Sequence, residues 1–228
     1  MENSWLSWSS GKDSAYSLYI INKHYKNLEI KKLLCTVNGE YDRVSLHGVR
    51  TELLLEQSKQ LDIPLYKCIL PKVCTMEEYD KIMHSCVKEQ EADNNKYIIF
   101  GDIHLQDIKN YRMERMKEAK IQCIFPIFDD NIDKYKVRKL GESIIQTGIK
   151  AVLVCIDLNK LDKSFIGREY DLGLIDELES LNIDVCGENG EFHTFVYSHP
   201  MFKEDIKIKK GDIKINDNLC FIDLILDK

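Results

Sequence analysis

The first hundred residues alternate short apolar runs with longer segments of helical period, and this alternation limits the fold more than any other feature. Apolar runs at 5–8, 30–37, 65–70 and 97–100 predict strands. Between them, apolar residues recur every three or four positions, which predicts helices over 13–25, 50–61 and 76–92. Strands that alternate with helices are typical of a parallel sheet covered on both faces. The sequence therefore predicts an α/β fold.

The alternation weakens after Pro126, where a second unit is expected to begin. Helices are predicted over 132–147 and 171–181, with strands over 151–156, 192–197, 206–208 and 220–225. The segment 203–214 alternates Ile with charged residues, which favours a half-exposed strand over a binding patch. For a chain of 228 residues we predict two domains, 1–128 and 129–228, the second being smaller and α+β.

Charge and cysteine usage narrow the functional class. The formal net charge of −6 makes binding to nucleic acid through overall charge an unlikely role. The eight cysteines lack close pairs, and Cys35, Cys155 and Cys186 lie in apolar runs, which favours buried thiols over disulfides or zinc. Neither a leader peptide nor a run of about 18 apolar residues is visible, so a cytoplasmic protein without a membrane partner is expected.

The strongest chemical signal is the segment Ser9-Ser10-Gly11-Lys12-Asp13-Ser14, between the first strand and the first helix. Small residues let the backbone approach a ligand, and a helix N-terminus directs N–H groups and the positive end of its dipole at an anion. Lys12 adds a positive charge. The Walker A pattern does not fit, because Leu6 stands five positions before Gly11 and Asp13 follows the lysine. The alternative is an ordinary helix capped by Ser9 or Ser10.

Three further segments carry polar groups suited to binding. Asp102 follows Gly101 at a strand end, where a carboxylate can hold Mg²⁺ or a substrate amine, or else cap a helix. Arg50 and His47 follow the second strand and could contact a phosphate or a polar group, although loop residues without chemistry are common there. The last segment is a glycine-rich polar loop that could equally be a solvated turn; its candidates are Gly187, Glu188, Asn189, Gly190, Glu191, His193 and Thr194.

The hexapeptide resembles the PP-loop, S-G-G-x-D-S, of the ATP pyrophosphatase superfamily. Ser10 stands where the usual first glycine would be, which would strain the loop if that position needs a positive φ. Together with His47-Gly48-Val49-Arg50, with Gly101-Asp102-Ile103 followed by Arg112 and Glu114, and with residues 187–195, it resembles the diphthine–ammonia ligase family. The glycine- and glutamate-rich segment is the most specific part of this resemblance, which extends from Trp8 to about Phe202.

The resemblance implies a Rossmann-like domain of the PP-loop/HUP type, with ATP at Ser9–Ser14 and Gly101. The expected catalytic residues are Lys12, Asp13 and Asp102, with Asp13 and Asp102 placing Mg²⁺. The expected substrate-binding residues are His47, Arg50, Arg112, Glu114 and the loop 187–194, with Glu188 and Glu191 facing a cationic group. The family reaction adenylates the carboxyl group of diphthine, on a modified histidine of elongation factor 2, and ammonia then displaces AMP.

Other activities fit the same motifs. The acceptor could be a related carboxyl-bearing molecule if the chain is bacterial. A different PP-loop ATP pyrophosphatase, such as a tRNA-modifying enzyme, would usually carry close cysteines or an RNA-binding domain, and neither is seen. A nucleotide-binding sensor would bind ATP without releasing pyrophosphate.

Overall fold

The computed structural model describes residues 1–45, 47–117 and 119–227. Its first sheet has five parallel strands in the order β4-β2-β1-β5-β6, with a short antiparallel strand β3 also paired to β2. The strands are β1 Glu2–Ser7, β2 Leu28–Asn38, β3 Arg43–Val44, β4 Leu65–Leu70, β5 Tyr97–Ile99 and β6 Gln122–Ile124. Since β2 pairs with β4 through Val37 and Asn38, β3 occupies the opposite edge of β2, beyond the end of β1.

Four helices connect these strands and cover both faces of the sheet. They are α1 Lys12–His24, α2 Thr51–Leu61, α3 Met76–Ala92 and α4 Gln106–Lys117. The two faces follow from the alternation of side chains along a strand: Leu6 of β1 packs with α1 and α2, whereas its neighbour Trp5 packs with α3 and α4. The predicted Rossmann-like α/β fold is confirmed.

The second half builds an antiparallel sheet in the order β8-β7-β10-β9. Its elements are α5 Lys134–Gln146, β7 Lys150–Asp157, a 3₁₀ turn Lys163–Phe165, α6 Leu172–Ser180, β8 Phe192–Ser198, β9 Ile208–Asn216 and β10 Leu219–Leu226. One hydrophobic cluster runs from Leu6 and Leu53 in the first half to Val152 and Phe195 in the second. Sheet type changes between β6 and β7, but because the core is continuous the domain boundary at 128/129 stays a prediction.

Most predicted elements lie within two residues of the observed ones, and two predicted bounds, 65–70 and 76–92, agree with β4 and α3. The strand predicted at 206–208 is wrong: Ile206 is buried and bonds to the Tyr197 carbonyl (2.7 Å), and β9 starts only at Ile208. The strand in the charged segment is real but more exposed than predicted, with Ile213 and Ile215 facing solvent. Of the predicted buried thiols, Cys35, Cys155 and Cys186 all lie in the core. Across the described ranges, none of the helices is long and apolar enough to span a bilayer.

Candidate functional site

The phosphate loop, residues 9–14, lies at the carboxyl end of β1, in the centre of the parallel sheet. Gly11 is the N-cap of α1 and no side chain caps the helix, so the alternative of an ordinary helix capped by Ser9 or Ser10 is wrong. Instead the two outer serines brace the turn, because the Ser14 hydroxyl donates to the Gly11 carbonyl (3.0 Å) and the Gly11 N–H donates to Ser9 Oγ (3.3 Å). Among the described residues, the N–H groups of Asp13 and Ser14 donate to no other residue. These two donors sit where an anion would be held.

Ser10 adopts the left-handed conformation, with φ of 69°. It is fully buried, and its hydroxyl has no partner among the described residues. Its carbonyl accepts from the N–H of Val196 in β8 (2.9 Å) and from the Gln57 amide (3.1 Å). The second sheet therefore holds the loop in a conformation that glycine adopts more easily than serine.

Lys12 does not extend into solvent. Its ammonium donates to both Asp13 carboxylate oxygens (2.9 Å each) and to the Cys186 carbonyl, and it lies between the rings of Tyr170 and Phe192, 5.4 and 5.3 Å from their centres. Burial has the largest single effect and lowers the pKa of Lys12, but the combined effect of Asp13, Cys186 and Asp184 outweighs it, so the pKa of Lys12 is raised. The ammonium is therefore charged and bound to the second unit. A direct contact with phosphate stays a prediction.

The end of β5 brings a second segment to the same edge. A Cβ on Gly101 would lie 2.9 Å from the Ser14 nitrogen, so only glycine lets this turn approach the phosphate loop. Asp102 is paired with Arg112 (2.7 Å), whose guanidinium stacks on Phe100 at 4.4 Å. This pairing explains how a carboxylate that is only 9% exposed is kept at the site.

The C-terminal unit contributes residues 185–192, named the acceptor loop after the substrate-binding role that the sequence predicts for it. Gly187 turns the chain with φ of 70°, and Glu188 then accepts a bond from the Ile103 N–H (2.9 Å). Burial raises the pKa of Glu188 to about 7, and the nearby Asp13 charge adds to the shift. Glu188 thus lies near the carboxylates of Asp13 and Asp102, and among the described residues no cation forms an ion pair with it; the more distant Lys12 charge opposes part of the pKa increase.

Two histidines form one wall of the site. His47 and His193 stack with their ring centres 4.1 Å apart. Burial lowers the pKa of His47 well below its ordinary value and lowers that of His193 to about 4, so both rings are neutral near pH 7. Thr194 follows in β8, and its hydroxyl accepts the backbone N–H of Lys12 (3.1 Å).

A cavity of about 240 Å³ brings most of the predicted residues together. Its lining includes Ser9, Gly11, Lys12, Asp13, Ser14, His47, Gly101, Asp102, Arg112, Gly187, Glu188, His193 and Thr194. The predicted residues Arg50, Asn189, Gly190 and Glu191 do not line it, and neither does the fully buried Ser10. Arg50 pairs with Asp223 of β10 (2.6 Å), and the buried Glu191 lies 3.9 Å from Lys160. The amide of Asn189 donates to Asp184 (3.2 Å). Binding roles for these five residues stay predictions.

A second cavity of about 450 Å³ continues from the first and shares Ser7, Ser9, His47 and Arg112 with it. It opens between α3 and α4, with Trp8 and Phe100 at the strand ends, and Glu114 is part of its lining. Several other lining residues, all on α3 and α4, were missed as site residues by sequence reasoning: Tyr79, Asp80, Met83, His84, Tyr111 and Arg115. Their spacing is that of an ordinary half-exposed helix face. Spacing alone does not distinguish a face that lines a cavity from one that faces solvent.

Comparison with known proteins assigns the family. The family model described as "Diphthamide synthase N-terminal domain" matches residues 3–116, and the model described as "Diphthamide synthase C-terminal domain" matches residues 136–225. The chain belongs to the diphthine–ammonia ligase family. The diphthine–ammonia ligase of Homo sapiens is 24% identical over 235 residues, covering 93% of this chain and 85% of the human protein. That of Rattus norvegicus is 23% identical over 231 residues with the same coverage, and that of Bos taurus is 21% identical over 225 residues, covering 90% and 82%.

Membership of this family of ligases confirms the resemblance based on the four segments. The first matched range contains the phosphate loop, His47, Asp102 and Arg112, and the second contains the acceptor loop. The cavity that these segments share is therefore built from both halves of a diphthine–ammonia ligase family member.

Proposed function

We propose that this chain is an ATP-dependent amide-forming ligase. It would adenylate a carboxyl group, release pyrophosphate and transfer ammonia to the activated carbonyl carbon. The acceptor would be diphthine on elongation factor 2, or a related carboxyl-bearing molecule. The observation that carries the proposal is one cavity in which an anion-binding helix N-terminus from the first unit faces Glu188 of the second.

The ATP phosphates would bind at the phosphate loop. The N–H groups of Asp13 and Ser14, the hydroxyl of Ser9 and the dipole of α1 all favour negative charge there. The adenosine would then extend into the larger cavity, which has aromatic walls at Trp8 and Phe100. The α-phosphorus would consequently lie near the shared residues, beside the acceptor.

Magnesium fits this arrangement only with help from the nucleotide. In the described residues there is no group of three or more His, Cys, Asp or Glu able to hold a metal ion. Mg²⁺ is commonly held by one or two carboxylates together with phosphate oxygens, and Asp13 and Asp102 supply two carboxylates on one cavity. When bound, the ion would neutralise phosphate charge.

The acceptor would approach from the side of Glu188. A cation such as ammonium or a quaternary ammonium would stabilise the ionised form of this carboxyl group, whose pKa burial raises to about 7. The ring of Phe192 also lines the cavity and can add a cation–π contact.

The chemistry is balanced without a nucleophile from the enzyme. A carboxylate oxygen of the acceptor attacks the α-phosphorus, and the bond to the β-phosphate oxygen breaks, releasing pyrophosphate. Ammonia then attacks the acyl carbon, AMP leaves with the bonding oxygen, and the nitrogen loses a proton. The chain's own residues would hold the diphosphate, orient the acceptor and exclude water from the mixed anhydride.

Pyrophosphate release tests the proposal. Purified chain is incubated with ATP, Mg²⁺, ammonium and diphthine-bearing elongation factor 2, and each component is omitted in turn. Steady-state release that requires both acceptor and ammonium supports the ligase; without ammonium, release should stop after a single turnover, because adenylation precedes the attack by ammonia. Binding of ATP at millimolar concentration without release on any carboxyl acceptor indicates a sensor, and no binding refutes the nucleotide site. Asp13→Asn should reduce release, whereas Asp217→Asn, the same change in the β9–β10 turn, is the matched control.

A further inference from the structure

Lys12 belongs to the phosphate loop and its side chain bonds to the acceptor loop, and we infer that it is a positioning residue for the acceptor loop. Its ammonium holds residues 185–192 in the shape that presents Glu188 to the cavity. The inference deepens the proposed function, because it assigns the link between the nucleotide side and the acceptor side.

The Lys12 ammonium is enclosed by the protein and is not available to solvent. An ammonium has three N–H donors, and those of Lys12 face the two oxygens of Asp13 (2.9 Å each) and the carbonyl of Cys186. The residue is 2% exposed, and the rings of Tyr170 and Phe192 enclose the ammonium. The charge, the hydrogen-bond donors and the packing of the Lys12 side chain are therefore all engaged by other residues of the protein.

The contact with Cys186 sets the path of the acceptor loop. The preceding carbonyl, of Val185, accepts from the Tyr170 hydroxyl (2.9 Å), so two successive carbonyls are bound inside the protein. Gly187 then reverses the chain at φ of 70°, which directs Glu188 to the Ile103 N–H. Without the ammonium, no donor among residues 1–45, 47–117 and 119–227 reaches the buried Cys186 carbonyl, and a buried unpaired carbonyl is strongly unfavourable.

The backbone of Lys12 belongs to the nucleotide side. It is the first residue of α1, its own N–H donates to Thr194 Oγ1 (3.1 Å), and the free N–H groups of the next two residues are those proposed to hold phosphate. One residue thus connects both loops through main chain and side chain. Filling the phosphate loop should therefore also steady the acceptor loop.

Hydrogen exchange followed by mass spectrometry tests this role without an acceptor substrate. Lys12→Met fills similar space between the rings and removes the charge and donors. Exchange over 185–192 should then become roughly tenfold faster or more, while β10 and α2 keep their rates. Lys23→Met, the same change on the exposed end of α1, should alter nothing in the acceptor loop. Unchanged exchange over 185–192, or equal acceleration everywhere, would overturn the inference.

Two further measurements separate positioning from general stability. Lys12→Gln keeps one donor for the Cys186 carbonyl, so its exchange rate over 185–192 should lie between those of the wild type and Lys12→Met. Equal rates in Lys12→Gln and Lys12→Met would overturn the inference. If Lys12→Met does not fold, Lys12→Gln is compared with the wild type instead. Adding α,β-methylene ATP should slow exchange over 185–192 in the wild type but not in Lys12→Met. If the wild type binds the analogue and exchange over 185–192 is unaffected, the inference fails. If the wild type does not bind the analogue, the proposed function is refuted. In that case the exchange rates of Lys12→Met and Lys12→Gln without nucleotide decide whether Lys12 positions the acceptor loop.

Discussion

Replacing Ser10 by glycine should stabilise the protein, because two features of this serine are unfavourable. Its backbone is left-handed, with φ of 69°, and its buried hydroxyl has no partner among the described residues. Both neighbours in space bind the Ser10 carbonyl and not its side chain, so glycine keeps the bonds from Val196 and Gln57.

The expected size follows from the two features taken separately. A left-handed L-residue costs about 1–2 kcal/mol, and the extra chain entropy of glycine in the unfolded state returns about 0.4–1 kcal/mol of that, leaving a gain of about 1 kcal/mol. An unpaired buried hydroxyl costs about 1–3 kcal/mol, and the small space left on its removal brings the gain to the low end, about 1 kcal/mol. Ser10→Ala should therefore gain about 1 kcal/mol and Ser10→Gly about 2 kcal/mol.

Urea unfolding followed by tryptophan fluorescence measures both variants, since Trp5 and Trp8 are fully buried. Ser17 is a matched control: its buried hydroxyl also has no partner among the described residues, but it lies inside α1. There alanine should exceed glycine in stability by about 1 kcal/mol. A Ser10→Gly variant no more stable than Ser10→Ala would show that the left-handed backbone carries no strain, and the reasoning would fail.

Three other substitutions test the site and its support. Glu188→Gln should stabilise the nucleotide-free chain at pH 8 by up to about 3 kcal/mol and have little effect below pH 4.5. The reason is that burial raises the pKa of Glu188 from 4.5 to about 7, so the stability that the protonated carboxyl contributes is lost as the pH rises through 7. Urea unfolding at several pH values measures the difference. Asp223→Asn should lower the free energy of unfolding by about 1 kcal/mol at pH 7, after allowance for solvent screening. Because hydrogen bonds from Arg50 lower the pKa of Asp223 to about 2, this loss should vanish as the pH falls through 2. Acid unfolding of the wild type and the variant checks the prediction. Gly101→Ala should cost about 1–3 kcal/mol and weaken binding of α,β-methylene ATP in calorimetry, because its Cβ would lie 2.9 Å from a backbone nitrogen of the phosphate loop. Gly173→Ala in α6, where the nearest atom would be 3.4 Å away, should leave that binding unchanged.

Local patterns in the sequence predicted the framework of the site. The alternation of strands and helices requires a parallel sheet, and the carboxyl ends of parallel strands share one edge. Segments that follow β1, β2 and β5 therefore meet, which is why the phosphate loop, His47 and Asp102 line one cavity. Small residues at a strand–helix turn also predicted the anion-binding donors, since these depend on the backbone of a short segment.

Tertiary structure decided which way the individual side chains point. Arg50, expected at the substrate, pairs with Asp223, 173 positions along the chain, and the Lys12 ammonium binds a carbonyl 174 positions away. The left-handed backbone of Ser10 and the cavity between α3 and α4 likewise depend on how distant elements pack. Periodicity and turn chemistry act over a few residues and fix the elements, whereas the partner of a buried charge depends on which segments meet when the two sheets close on one core.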